Sequence, residues 1–369
     1  MSGTVRCMRK NLVGVALAAL MGATFFVPAG ASGQETPDLS ISSEDGDFSI
    51  TFNGDFQLRY EVNAQETSVQ NAGFFIRRLR PSIEARAFGN MVMKVVPELN
   101  REASLRDGWV AYEFSDRLSV QAGQFAPPFS WERDSSSDYH VFVERSLAHG
   151  EFQWADGRDI GVMVDAEPSE KFHLEAGIFN GEGRNAMPSP DVSHVFTARV
   201  AAAPIGVYSE SEALVEAVAE PTLILGAGAY YANSSRARDW LGDGSELRAS
   251  LLSLTADAYL AIDRVTLQGS YFFRDTSSPD GAFDGFVGHG MNAQLAVLAI
   301  EQRLLLAARF SQTYFDDAAP VASNDEAALG AQIYHRGHNS KLHVEVGVHG
   351  LLHDVPRQEF LRLQYQFLF

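Results

Sequence analysis

The sequence has one cysteine, Cys7, and no apolar run of eighteen residues beyond its N-terminal stretch. Without long apolar runs no helix crosses a membrane. Without a second cysteine there are no disulfides, and thiolate metal sites drop out as well. Basic residues are in short supply: 29 Lys and Arg stand against 47 Asp and Glu, a net charge of −18, which argues against nucleic acid as a partner. A phosphate-cradling glycine loop, an HExxH pattern and a nucleophile elbow are all missing. Nothing nominates a catalytic set over ordinary polar residues, so the expectation is a protein that is not an enzyme and carries no cofactor.

What is present begins at the N-terminus. Arg6, Arg9 and Lys10 precede an apolar run from Leu12 to Val27, and Ala29-Gly30-Ala31 supplies a small-x-small cleavage site. That predicts a secretory signal peptide over residues 1–31. Its removal would take away Cys7 and three basic residues, leaving a net charge of −21. Residues 32–47 are polar and acidic and read as a flexible leader.

From residue 48 to the end, apolar and polar residues alternate with period two. Phe48, Ile50, Phe52, Phe56, Leu58 and Tyr60 alternate with polar neighbours. Phe75, Leu79, Ile83 and Ala85 oppose Arg78, Arg80, Ser82, Glu84 and Arg86. Val265, Leu267 and Tyr271 oppose Thr266, Gln268 and Ser270. A helix needs a period near 3.6, so these are strands. They run about ten residues, the length of a tilted strand crossing a bilayer. Short links such as Gly89-Asn90, Ser115-Asp116 and Glu301-Gln302 alternate with long polar ones, the outer-membrane pattern. Two links break the alternation: a short one at Arg101–Ser104, and a long one from Pro204 to Pro221, whose mixed Glu and apolar residues predict a brief helix. The expected fold is all-β, a transmembrane antiparallel β-barrel of about sixteen strands, over residues 48–369. The last strand sets Leu361, Leu363, Tyr365, Phe367 and Phe369 against Arg362, Gln364 and Gln366, and its terminal Phe resembles the signature of bacterial outer-membrane proteins. The expected location is the bacterial outer membrane.

Residues 126–157 form an aromatic-rich link far longer than the usual four to six residues. Pro127-Pro128 stops the strand before it. Phe129, Trp131, Tyr139, Phe142, Phe152 and Trp154 call for a surface to pack on, and a wide barrel offers its own inner wall. The expectation is an infolded constriction loop.

Several motifs in order are similar to the phosphate-selective porin O/P family: Phe74-Phe75-Ile76-Arg77-Arg78-Leu79-Arg80, Arg106-Asp107-Gly108-Trp109-Val110-Ala111-Tyr112, Gly123-Gln124-Phe125-Ala126-Pro127-Pro128-Phe129, Glu144-Arg145-Ser146, Gly157-Arg158-Asp159-Ile160-Gly161-Val162 and Gly177-Ile178-Phe179-Asn180-Gly181-Glu182-Gly183. They span about residues 70–205. The resemblance implies a sixteen-stranded homotrimeric porin whose third external loop narrows the pore, with inward arginines and lysines passing anions such as phosphate or polyphosphate. The chain departs from the family at Ala126, where lysine is common, and in the acids Glu132, Asp134 and Asp138 of the same loop.

As the anion pathway, Arg78, Arg80 and Arg86 fall on one strand face, with Lys94 across the turn. A row of cations on a lumen wall focuses the field for anions, although pairing with Glu84 and Glu98 would also keep the wall wet. The constriction-loop candidates are Arg133, Arg145 and Arg158; Arg145 and Arg158 either line the pore or clamp the loop to the wall through Glu144, Asp156 or Asp159, and clamping is favoured. No metal site is expected from His335, His338, His343, His349 and His353, because His343 and His349 lie six apart on one strand and do not converge. Expected partners are outer-membrane lipid, lipopolysaccharide and small anions; Asp316-Asp317 and Asp325-Glu326 could bridge divalent cations to lipopolysaccharide, though solvated loop charge is the favoured account. Because loop charge is screened beyond about 8 Å, the basic rows inside should outweigh the chain's net acidity. The function expected is a passive diffusion channel for small anions. Two alternatives stay open: a general or weakly cation-selective porin, and a plugged barrel with an enzymatic or structural role.

Overall fold

A computed structural model describes residues 39–65, 68–153, 157–190, 194–236, 248–278, 281, 283–353 and 355–369. The signal peptide expected over 1–31 lies outside the described residues. A short strand β1 (Leu39–Ser42) pairs antiparallel with the start of β2, Leu39 opposite Phe52. Part of the leader read as flexible is therefore tied to the sheet.

Sixteen strands follow: β2 (Phe48–Gln65), β3 (Ser68–Ala87), β4 (Met91–Glu98), β5 (Ser104–Ser115), β6 (Leu118–Phe125), β7 (Asp159–Ser169), β8 (Phe172–Phe179), β9 (Val195–Ile205), β10 (Val218–Arg236), β11 (Arg248–Asp263), β12 (Val265–Ser277), β13 (Phe286–Ile300), β14 (Leu304–Phe315), β15 (Asn324–Arg336), β16 (Ser340–His349) and β17 (Gln358–Leu368). Each pairs antiparallel with the next, and β17 returns to β2 with Leu363 opposite Tyr60, so the sheet closes. Closure removes the free edges that an open sheet would expose. The terminal Phe369 finishes the seam: its N–H donates to Gly54 O at 3.1 Å, and Gly54 N–H donates back to its carbonyl at 2.7 Å.

Burial is inverted relative to a soluble sandwich. On β12 Leu267 and Tyr271 are exposed while Gln268 and Ser270 are buried, and on β13 Met291 and Leu295 are exposed while Asn292 and Gln294 are buried. The same strands that alternate in sequence thus send their apolar row outward, as lipid requires, and their polar row into the lumen.

Links at one end are short: residues 88–90, 116–117, 170–171, 301–303 and 337–339. The exception at that end is 206–217, which is not the helix expected from its sequence but an irregular segment. At the other end lie 99–103, 126–158, 180–194, 278–285, 316–323 and 350–357. The expected long link at 62–72 is instead mostly strand, because β2 and β3 pair out to Gln65 and Ser68.

Two strands carry a β-bulge next to charged residues. Gln57 pairs with Arg78 but Leu58 with Ile76, so Arg77 is the extra residue of β3. Val96 pairs with Asp107 but Pro97 with Leu105, so Arg106 is the extra residue of β5. A bulge resets which face the following side chains take. Phe75, expected on the outward row, pairs with Arg59 and faces the lumen, where Arg59 lies over its ring at 5.8 Å.

Candidate functional site: the lumen wall and residues 126–158

Residues 126–158 leave β6 at Phe125 and meet inward side chains on most of the barrel wall. Pro127-Pro128 cannot supply ladder N–H groups, so the strand stops and the chain turns across the sheet. Two short helices follow, α1 (Trp131–Asp134) and α2 (Leu147–Phe152), each begun by a serine whose hydroxyl accepts from the third residue on, Ser130 from Arg133 N–H and Ser146 from His149 N–H. These caps satisfy N–H groups that would otherwise be orphaned in the lumen.

Aromatic rings seat the segment. Phe129 packs on Tyr230 of β10 at 5.0 Å, Trp131 stacks on Tyr259 of β11 at 4.5 Å, and Phe152 stacks on Phe272 and Phe315. Glycines make room for them. A Cβ on Gly290 would lie 2.8 Å from the Phe152 ring, and one on Gly228 would overlap the Phe129 carbonyl.

Polar wall residues then hold the segment's backbone. Asp257 accepts from Trp131 N–H at 3.1 Å, and Ser311 accepts from Ala148 N–H at 2.9 Å. Arg274 donates to Phe152 O at 2.5 Å, Arg309 to Glu144 O at 2.8 Å and Gln332 to Val141 O at 2.7 Å. Lys341 and Gln366 both donate to Asp138 O, at 2.8 and 3.0 Å. Arg199 pairs with Asp134 at 2.5 Å and with Asp257 at 2.8 Å, its side chain only 1% exposed.

From the short-turn end, residues 206–217 reach the same segment. Ala213 N–H donates to Tyr139 O, Trp131 Nε1–H to Ser209 O, and Val141 N–H to the carboxylate of Glu212. Leu214 and Val215 pack against the cluster that holds Val141, Phe142 and Tyr334. Burial pushes the Glu212 carboxyl up to about 7, with Glu132 nearby adding to the effect.

Space remains on the opposite side, along β2 to β5. A cavity of about 940 Å³ toward the long-link end is lined by Arg59, Phe75, Arg77, Arg80, Glu98, Glu144, Arg184 and Arg362 among others. A second, about 390 Å³, opens toward the short-turn end between Asp55, Arg80, Lys94, Arg106, Asp138 and Phe369. Arg80 lines both.

The residues singled out from sequence fall in different places. Arg80 pairs with Glu98 at 2.7 Å and Asp55 at 3.6 Å while still facing both cavities. Arg78 is buried behind it, donating to Gln57 at 2.5 Å, and lines neither cavity. Arg86 stands at the short-turn rim, paired with Glu113 at 3.0 Å and half exposed. Lys94 pairs with Glu84 at 3.4 Å and faces the smaller cavity. In the loop, Arg133 is buried. Arg145 does clamp, but through the carbonyls of Glu132 and Ser135 at 2.5 and 2.8 Å. Arg158 ties the segment's exit to Asp107 of β5 at 2.5 Å rather than to Glu144 or Asp159, and Asp156 lies outside the described residues. Asp325 and Glu326 are both buried: Asp325 accepts from Leu351 and Leu352 N–H of the link after β16, and Glu326 faces the lumen and pairs with Arg309 at 2.7 Å. Solvated loop charge, the reading preferred for that pair, does not describe it, and neither does bridging to lipopolysaccharide.

Sequence reasoning missed Arg77 and Arg106. Both stand beside a residue already facing the lumen, so strict period two sends them outward; only the bulges bring them in. The doublets Arg77-Arg78 and Arg106-Asp107 were the available signal.

Comparison with known proteins agrees with this geometry. Residues 50–207 match the family described as phosphate-selective porin O and P. Over those residues the chain is similar to outer-membrane porins. The motif resemblance over 70–205 falls wholly within that match. No curated protein matches the chain in sequence. Among solved structures, its fold is similar to an anion-selective porin from Comamonas acidovorans, at 10% identity and TM-score 0.64, covering 87% of this chain and 100% of that one. It is similar to the outer-membrane channel DcaP of Acinetobacter baumannii, at 8% identity and TM-score 0.62, covering 89% and 99%. OmpT of Vibrio cholerae matches at 10% identity and TM-score 0.63, covering 89% and 99%. A passive channel in the bacterial outer membrane, and not an enzyme, is what the family match points to.

Proposed function

We propose that this porin is a diffusion channel with a mild preference for small anions, narrowed by residues 126–157 and crossed along the β2–β5 wall. The observation that carries this reading is Arg80, which faces both the larger and the smaller cavity. A charge at such a junction acts on ions passing within a few ångströms, where screening by salt is weak. Counting Arg80, eight cationic side chains and six acidic ones line the two cavities. The excess is small, so the selectivity is mild despite the net charge of −18. The family's description names phosphate and the Comamonas acidovorans porin is titled anion-selective; both accord with small oxyanions as solutes. Assembly as a homotrimer accords with OmpT of Vibrio cholerae, which is known in a trimer form.

The test is the zero-current potential of the native protein in a planar bilayer under a potassium chloride gradient. Anion sign is expected, and Arg80→Ala should move it towards zero more than Arg78→Ala does. A cation sign in the native pore overturns the proposal.

A further inference from the structure

We propose that Glu144 sets how strongly the pore prefers anions: its carboxylate, tethered to the loop, occupies the oxyanion site built by Arg59, Arg77 and Arg78. The inference rests on the anion reading above and adds a specificity-determining residue to it.

The geometry is that of a bound anion. Arg77 grips both oxygens, Nε to Oε1 at 2.6 Å and Nη2 to Oε2 at 3.0 Å. Arg59 Nη2 reaches Oε1 at 2.7 Å, and Arg78 Nη2 lies 3.5 Å from Oε2. A planar fork on two oxygens is how guanidinium holds a carboxylate or two oxygens of a phosphate. All three donors are available together because the bulge at Arg77 turns two consecutive arginines to the lumen.

The backbone carrying Glu144 is fixed on both sides. Val143 N–H donates to Glu345 Oε2 at 3.0 Å, and Glu144 O accepts from Arg309 at 2.8 Å. Burial alone would raise the pKa of Glu144, but Arg78, Arg77 and Arg59 together hold it well below the usual carboxylate value, so it stays charged. Both Glu144 and Arg77 line the 940 Å³ cavity, so a solute anion meets the pair directly. That anion competes with a carboxylate already in place and held at high local concentration. The competition keeps binding weak, and a channel needs binding weak enough for the ion to leave.

The experiment compares native protein with Glu144→Gln and Glu144→Asp, reading zero-current potential and the block of chloride current by phosphate and by succinate. Glu144→Gln should shift the potential toward anions, and phosphate or succinate should block at concentrations about tenfold lower. Whichever of the two blocks more strongly names the oxyanion class. Glu144→Asp keeps the charge and should stay close to native. An unmoved potential with no gain in block, in protein whose heat-modifiable gel shift is intact, overturns the proposal. If Glu144→Gln does not insert, Arg77→Gln tests the same balance from the other partner: the potential should move toward cations, and an unchanged value overturns it. The sign of the native potential is read separately, so failure of the anion reading and failure of the Glu144 assignment are distinguishable.

Discussion

Arg199 and Arg80 hold the same kind of partners on opposite sides of one lumen. Each is an inward strand arginine paired with two carboxylates, Asp134 and Asp257 for the first, Glu98 and Asp55 for the second. Arg199 lies under residues 126–153 with its side chain 1% exposed; Arg80 is 12% exposed and faces two cavities. The first is part of the lock that keeps a loop on a wall. The second is placed to act on whatever passes. Charge on a pore wall serves transport only where water and solute reach it, and in this barrel the cavities beside the loop lie along β2 to β5.

Breaking the covered side should give the largest effect. Deleting Arg133–Gln153 removes what fills the β9–β16 half, and single-channel steps in a planar bilayer should rise several-fold; an unchanged step would mean that the segment does not limit the current. Arg199→Ala comes next. It leaves Asp134 and Asp257 buried together without their cation, a change that costs roughly 3–5 kcal/mol in buried pairs, seen as a lower temperature for the gel shift of folded protein. The matching change at Arg80 should cost less stability and more selectivity.

A smaller effect should follow pH. Glu212 is held protonated up to about pH 7 in the folded protein, against an ordinary value of 4.5. Between those values the folded state binds more protons than the unfolded one, so stability falls as pH rises through that window and is lowest above it. The gel-shift temperature should therefore drop from pH 5 to pH 8, and Glu212→Gln should flatten the change. Smallest of all is Arg86→Ala at the exposed rim, where a surface pair is worth roughly 0.2–1 kcal/mol and the zero-current potential should hardly move.

The barrel could be read from the sequence because a membrane strand with one face in lipid writes its period into every second residue. The loop's inward packing could be expected from its rings, since Phe129, Trp131 and Phe152 have no other dry surface. Its partners could not. Trp131 meets Asp257, and Val143 meets Glu345, across more than a hundred residues of chain, and period two says only that those acids face inward. Arg77 and Arg106 escaped because a bulge is a local departure from the very period used to find strands. The segment 206–217 escaped for another reason. Its Glu and apolar residues read as a helix, but Ala213, Leu214 and Glu212 are committed one by one to Tyr139, Tyr334 and Val141, and those bonds compete with a helical backbone.

The route along β2 to β5 can be tested with the chain's scarcity of thiols, once the expected loss of Cys7 leaves none. Arg80→Cys and Thr255→Cys each place a single thiol on an inward row, the first at the junction of the two cavities, the second on β11 where the wall is buried. An anionic thiol reagent added during single-channel recording should lower the current stepwise at position 80 and leave it unchanged at position 255. A response at 255 with none at 80 would contradict the route.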